Sequence, residues 1–84
     1  MKHRPRVVIY MEILAELRER PSGPTRISRV VNLSYDTCVE ILRELEAKGL
    51  TVRAKQDGHD VYSTTPDGYR IVDDWNKLWQ RLKT

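Results

Sequence analysis

Apolar residues recur at helical spacing from Pro5 to about Arg20, at Val7, Val8, Tyr10, Met11, Ile13, Leu14 and Leu17. Pro5 suits a first-turn position and "RPSGP" reads as the stop, so the pattern predicts a first helix. A second, short run follows, with Thr25 as its expected N-cap and Ile27, Val30 and Val31 as its buried side. Asn32 tolerates the left-handed conformation that ends a helix, Leu33 is placed to plug the core, and Ser34 is placed to cap a third helix. That helix has Cys38, Ile41, Leu42 and Leu45 on its apolar face and Asp36, Glu40, Arg43 and Ala47 on the opposite one, and Gly49 ends it. The period then changes to two. In "LTVRAKQ", Leu50, Val52 and Ala54 alternate with Thr51, Arg53 and Lys55, and "DVYSTT" continues the β-branched and aromatic bias after a turn at "QDGHD". This predicts a hairpin with Asp57-Gly58 at its tip. Thr65 and Pro66 read as N-cap and first residue of a last helix running from about Pro66 to Lys83.

Two helices joined by a three-residue turn with a plug residue are a helix-turn-helix, whose second helix can stand out from the body and enter a major groove. A hairpin directly behind it adds a wing. The expected fold class is therefore α+β: a winged helix-turn-helix of three helices, a β-hairpin wing and a long C-terminal helix. Residues 1–65 are expected to form the DNA-binding unit and 66–84 a dimerisation helix packed on it. In "ILAELRE", "TRISRVVNLSYDTCVEILRELEAKGL" and "YSTTPDGYRI" the chain resembles small archaeal winged helix-turn-helix regulators and chromatin-like DNA-binding dimers, related in architecture to MarR-type repressors. The "NLSY" turn and the "LxxxGL…TxxG" cadence are the specific parts.

The resemblance implies roles by position. Ser34, Tyr35 and Thr37 would reach base edges or phosphates, and Thr25 and Arg26 would meet the DNA backbone at the start of the second helix. Arg53 and Lys55 on the outer face of the wing, with His59 at its tip, would meet the flanking backbone or minor groove. Asp36, Glu40 and Arg43 on the outer face of the third helix, and Arg29 on the second, complete the expected DNA-facing set. For Tyr35 the competing reading is an aromatic that half-covers the turn. For Arg53 and Lys55 it is a solvated strand edge.

Charge bears on this picture through its location. The chain carries a formal net charge of +3 with a pI near 9.2. Lys2, Arg4 and Arg6 cluster at the start and Arg20, Arg26 and Arg29 around the second run. Clustered Lys and Arg are the footprint of phosphate neutralisation. The third helix departs from that pattern: Asp36, Glu40, Glu44 and Glu46 against Arg43 and Lys48 give net −2, which phosphate would repel. A carboxylate can, however, accept from the cytosine amino group, which offers Asp36 or Glu40 a base-reading role.

With 84 residues the chain fits one domain. A domain of this size buries only about 60–65% of its unfolded surface, which favours added burial by a partner subunit. A lone cysteine, Cys38, excludes an internal disulfide and reads as a small core residue. No long apolar run and no h-region are present, so a cytoplasmic protein without a membrane span is expected. Asp57, His59 and Asp60 in "DGHD" read as a turn and not as a metal pair, and no nucleophile, base and orienter converge. Catalysis, a cofactor and a metal are not expected.

The last helix carries the second functional signal. Ile71, Trp75, Leu78 and Leu82 form one stripe, and Tyr69, Val72 and Trp79 an adjacent one. One stripe can pack on the domain while the other takes a partner, so an antiparallel homodimer through this helix, with help from the first helix, is expected; the competing reading packs both stripes against the first helix within a monomer. The functional expectation is sequence-specific binding of double-stranded DNA by a dimeric transcriptional regulator. A chromatin-like architectural protein and a winged-helix module that binds protein remain the alternatives.

Overall fold

A computed structural model describes residues 4–83; Lys2 and His3 of the expected basic arm lie outside them. The order is α1 (Arg6–Glu19), α2 (Pro24–Val30), α3 (Tyr35–Ala47), β1 (Thr51–Gln56), β2 (His59–Thr64) and α4 (Pro66–Lys83). Each joint follows from a local backbone requirement. Pro5 precedes the first turn of α1 as its N-cap, where its carbonyl accepts from the amides of Val8 and Ile9 at 3.0 and 3.3 Å. After α1 the chain extends, and Ser22 forms a bridge with Tyr62 through reciprocal backbone hydrogen bonds of 3.1 and 2.9 Å. The expected stop is thus also a short third rung on the hairpin.

α2 begins two residues earlier than its sequence suggests. Gly23 is the N-cap and Pro24 the first helical residue, so Thr25 is inside the helix and caps nothing. Pro24 fits because its fixed φ suits the first turn and its missing N–H would have had no helical acceptor. The shift changes the buried side: Ile27, Ser28 and Val31 face the core, while Val30, expected inside, is half exposed. Ser28 tolerates burial because its hydroxyl donates to the Thr25 carbonyl at 2.9 Å. Asn32 then takes a left-handed φ of 57°, and the Leu33 amide closes the turn on the Ser28 carbonyl at 2.8 Å. Ser34 Oγ accepts the Thr37 amide at 3.2 Å, so α3 starts at a capped end.

The far end of α3 closes as a Schellman motif. Gly49 has φ of 75°, its amide donates to the Glu46 carbonyl at 3.0 Å, and the Leu50 amide donates to the Leu45 carbonyl at 2.9 Å. β1 and β2 pair antiparallel from Thr51↔Thr64 to Gln56↔His59. Their two-residue connection has positive φ at both Asp57 (51°) and Gly58 (79°), the type I′ geometry that matches strand twist. The hairpin faces are the reverse of those expected from apolar alternation. Thr51, Thr64 and Tyr62 are buried, whereas Val52 is 55% exposed. Thr64 can be inside because its hydroxyl donates to the Leu14 carbonyl of α1 at 2.8 Å.

Thr65 joins the two halves of the chain. Its hydroxyl accepts the Gly68 amide at 3.1 Å, capping α4, and donates to the Gly49 carbonyl at 2.8 Å, at the end of α3. The core lies between these joints: Ile13, Leu14 and Leu17 of α1 meet Ile27, Val31, Cys38, Ile41, Leu42, Leu45, Tyr62 and Val72. From α4 only Gly68 and Val72 are buried. Gly68 passes so close to the hairpin base that an added Cβ would stand 2.5 Å from the Leu50 carbonyl oxygen and 2.6 Å from the Thr64 methyl. Gly68→Ala is therefore expected to destabilise the protein by about 1–3 kcal/mol, the usual cost of overpacking. Urea unfolding of the two proteins measures it, and an unchanged midpoint would contradict the close approach.

Candidate nucleic-acid interface

α3 presents an outward stripe of Asp36, Glu40, Arg43 and Ala47, all exposed, opposite the fully buried Cys38, Ile41, Leu42 and Leu45. The sequence periodicity had placed these residues on the same two faces. At its N-terminal end, Tyr35 is 55% exposed and rims a cleft of about 510 Å³ between α2, α3 and the hairpin. Tyr35 is thus partly covered and partly open to the cleft. Thr25, Arg29, Lys55, His59 and Asp60 line the same cleft. The structure thus brings together one residue or more from each element assigned to DNA contact.

Several of the expected contacts are committed elsewhere. Arg26 ties α2 to α1: its guanidinium donates to Ser22 Oγ at 2.8 Å and to Glu16 Oε1 at 2.6 Å. It borders the cleft as a brace and not as an open cation. Ser34 and Thr37 are occupied by the cap, where the Ser34 hydroxyl also donates to Thr37 Oγ1 at 2.9 Å. Arg53 and Lys55 do not sit on the outer face of the wing. Cross-strand partners share a face, so Arg53 opposite Tyr62 and Lys55 opposite Asp60 lie on the side of the buried residues. There Asp60 contacts Lys55 at 2.9 Å and Arg53 at 3.8 Å, and Glu46 reaches Arg53 at 3.6 Å. The outer face carries Val52 and Ala54 instead. His59 is exposed as the first residue of β2.

The remaining acidity of α3 is neutralised from α1. Arg6 and the Tyr10 hydroxyl both donate to the Glu44 carboxylate, and Arg6 also lies 3.8 Å from Glu40. Arg4 bonds Glu12 at 2.7 Å and the Val31 carbonyl at the end of α2, so the described part of the basic N-terminus braces the helix-turn-helix. These partners are separated by up to 38 residues, and no local pattern signals them. With Glu44 and Glu46 paired, Asp36, Glu40, Arg43 and Lys48 are the charges α3 turns outward. Arg29 and Arg43 make no ion pair among the described residues.

The site's titrating groups follow these contacts. The hydrogen bonds from Arg6, then from Tyr10, hold the Glu44 carboxyl below its ordinary range. The hydrogen bond from Lys55 and the nearby charges of Arg53 and Arg43 do the same for Asp60. Burial pushes the Cys38 thiol up to about 11, which keeps it protonated and unreactive. Among the described residues no three His, Cys, Asp or Glu side chains group so as to hold a metal ion. None of the helices among them is long and apolar enough to cross a membrane.

This arrangement is that of a winged helix-turn-helix protein, and the chain belongs to that family, whose model matches residues 3–83. Solved structures share the fold. The transcriptional regulator BldR from Sulfolobus solfataricus matches with a TM-score of 0.81 at 20% identity, over 89% of this chain and 56% of that one. MepR, a transcription regulator of the Staphylococcus aureus multidrug efflux pump MepA, matches with 0.83 at 18% identity over 89% and 58%. Bordetella bronchiseptica BpsR, whose DNA binding is regulated by 6-hydroxynicotinic acid, matches with 0.79 at 16% identity over 89% and 56%. The chain thus spans under two thirds of the length of these regulators. No curated protein matches its sequence.

The Glu44 contacts make a pH-dependent expectation. Its folded-state pKa is depressed, so its stabilising contribution is complete above the unfolded glutamate value of about 4.3 and is lost as pH falls through the folded value. Melting temperatures of wild type and Glu44→Gln should differ most near neutral pH and converge under acid. A difference that stays constant down to acid would remove the Arg6 and Tyr10 pairing as its source.

Proposed function

We propose that this protein is a homodimeric regulator of transcription that binds double-stranded DNA at specific sites. Residues 1–65 contact the DNA and residues 66–84 hold two copies together, in the cytoplasm where the DNA is reached. One observation carries the reading: the outer face of α3 is left open along its length beside a cleft to which α2 and the hairpin also contribute. A capped helix held out in this way is the shape that enters a major groove. The titles of the similar structures, which name transcriptional regulators and DNA binding, support it.

Within this reading the contacts divide by chemistry. Arg29, with Lys55 and His59 across the cleft, meets phosphates and sets position. Arg43 is placed to donate to guanine, and Asp36 or Glu40 to accept from a cytosine amino group. A carboxylate that found no amino group in the groove would face only phosphates and base acceptors, so these two residues also reject wrong sequences. Few open cations remain after internal pairing, so phosphate contributes less here than the total count of Lys and Arg suggests. Specificity must then come from α3.

Fluorescence anisotropy with a random-sequence duplex, followed by selection of the preferred site, tests this. Affinity should fall with rising salt, and Arg29→Ala should flatten the logarithmic slope by about one. Arg43→Ala should cost about 1–3 kcal/mol on the selected site and relax one base position. Asp60→Asn, which releases Lys55 and Arg53, should tighten binding. Absence of binding at low salt and of any selected site would favour a protein partner for the charged face of α3.

A further inference from the structure

The face of α4 offered for pairing loses Val72, which is 2% exposed and so unavailable as the interface residue its sequence suggested. The outer stripe of α3 is the other open surface, and its side chains carry directional chemistry. Asp36, Glu40, Arg43 and Ala47 hold no hydroxyl and no amide, so they offer base edges only accepting carboxylates and a donating guanidinium. Asp36 lies in the first turn, where the helix amides and dipole already favour an acid. Glu40 stands one turn further on and has no such local reason. Its side chain is 65% exposed, and the single ion pair it makes among the described residues is a contact with Arg6 at 3.8 Å, while Arg6 gives its hydrogen bonds to Glu44. Glu40 and Arg43 line one cleft of about 550 Å³ beside Val39.

We infer that Glu40 is the specificity-determining residue of this surface, that it reads a cytosine while Arg43 reads the guanine paired to it, and that a methyl group on N4 of that cytosine excludes the protein from its site. The inference rests on the DNA-binding reading above and names the chemistry of the site it takes. Residues three apart on a helix have Cβ atoms about 5–6 Å apart, close enough for two long side chains to converge on one base pair. In the major groove a C·G pair presents one donor, the cytosine amino group, beside two acceptors, guanine O6 and N7. Glu40 and Arg43 are the complement of that pattern.

The alternative donor is the adenine amino group, and electrostatics disfavours it. That group lies between adenine N7 and thymine O4, two acceptors that repel a carboxylate. The cytosine amino group has a C–H on one side and guanine O6 on the other, and Arg43 covers the O6. Sensitivity to N4 methylation follows from the count of protons. One amino proton of cytosine is held by guanine, so a single proton faces the groove. A methyl group on N4 that preserves pairing takes the place of that proton, and Glu40 is left buried against a methyl with no donor, the costly case for a charged acceptor. A methyl group on C5 leaves the proton where it was.

Anisotropy titrations of the full chain test this on the selected duplex, each cytosine of which is replaced in turn by N4-methylcytosine or by C5-methylcytosine. Wild type, Glu40→Ala and Glu40→Gln are compared at one salt concentration, with circular dichroism to check that helix content is unchanged. At one position N4 methylation should weaken wild type by about tenfold to a hundredfold and C5 methylation by no more than about twofold. Glu40→Ala should bind all four bases alike at that position and ignore the N4 methyl group. Glu40→Gln, whose amide both donates and accepts, should move the preference from cytosine to adenine. A merely structural role for Glu40 would lower affinity for every duplex alike and move no preference. A selected site without cytosine, a wild type indifferent to N4 methylation at every position, or a Glu40→Gln protein that keeps the wild-type preference would each overturn the inference and leave DNA binding standing. No binding to any duplex at low salt would overturn the DNA-binding reading and the inference with it.

Discussion

Eleven apolar side chains form the core, and six secondary-structure elements have to reach it. That scarcity shapes everything around it. A small domain cannot spread its connections over long loops without leaving buried backbone groups unsatisfied, so its joints are short and each is closed by a specific hydrogen bond. The Ser34 cap, the left-handed Asn32, the Schellman end at Gly49 and the shared hydroxyl of Thr65 are consequences of the same need. So is the approach of α4 to the hairpin base, where only glycine leaves room. α1 supplies the centre, and α4, last to arrive, finds space for one buried side chain, Val72.

The same scarcity explains the treatment of charge. Without a large core, the helices are held at their angles partly by ion pairs across their edges: Arg4 with Glu12, Arg6 with Glu44, Arg18 with Asp73 and Arg26 with Glu16. Exposed pairs of this kind contribute little each, about 0–1 kcal/mol, yet they orient neighbouring elements. They also consume cations that a composition count would assign to phosphate. A basic pI therefore overstates the positive surface, and the acidic balance of α3 overstates its negative one.

Local requirements were legible in the sequence and distant pairings were not. Asn32, Ser34, Gly49, Asp57-Gly58 and Thr65 could be placed because each answers a backbone need within a few residues of itself. The buried face of α3 was legible because four apolar residues repeat on one side of thirteen. The start of α2 was misplaced because Thr25 and Gly23 both qualify as caps, and Pro24 decides between them only through its fit to the first helical position. The hairpin faces were inverted because alternation assumes that apolar residues point inward. Here a two-stranded sheet offers the core Tyr62 and two threonines, and the hydroxyl of Thr64 finds the Leu14 carbonyl fifty residues away. Arg26 and Arg53 were assigned to DNA because Glu16 and Glu46 become their neighbours only after folding.

The path from α3 to α4 determines how the two functional surfaces are coupled. Only the hairpin separates them in sequence, and the Thr65 hydroxyl joins the Gly49 carbonyl just beyond α3 to the Gly68 amide in the first turn of α4. No flexible linker intervenes between the helix proposed to read bases and the helix proposed to hold the second copy. The spacing of two bound half-sites would then be set by the crossing of α4 helices and transmitted without slack, as half-site geometry requires of a dimer. Any change at the α4 seam, whether a ligand, a partner or a substitution, would move the two α3 helices as rigid arms.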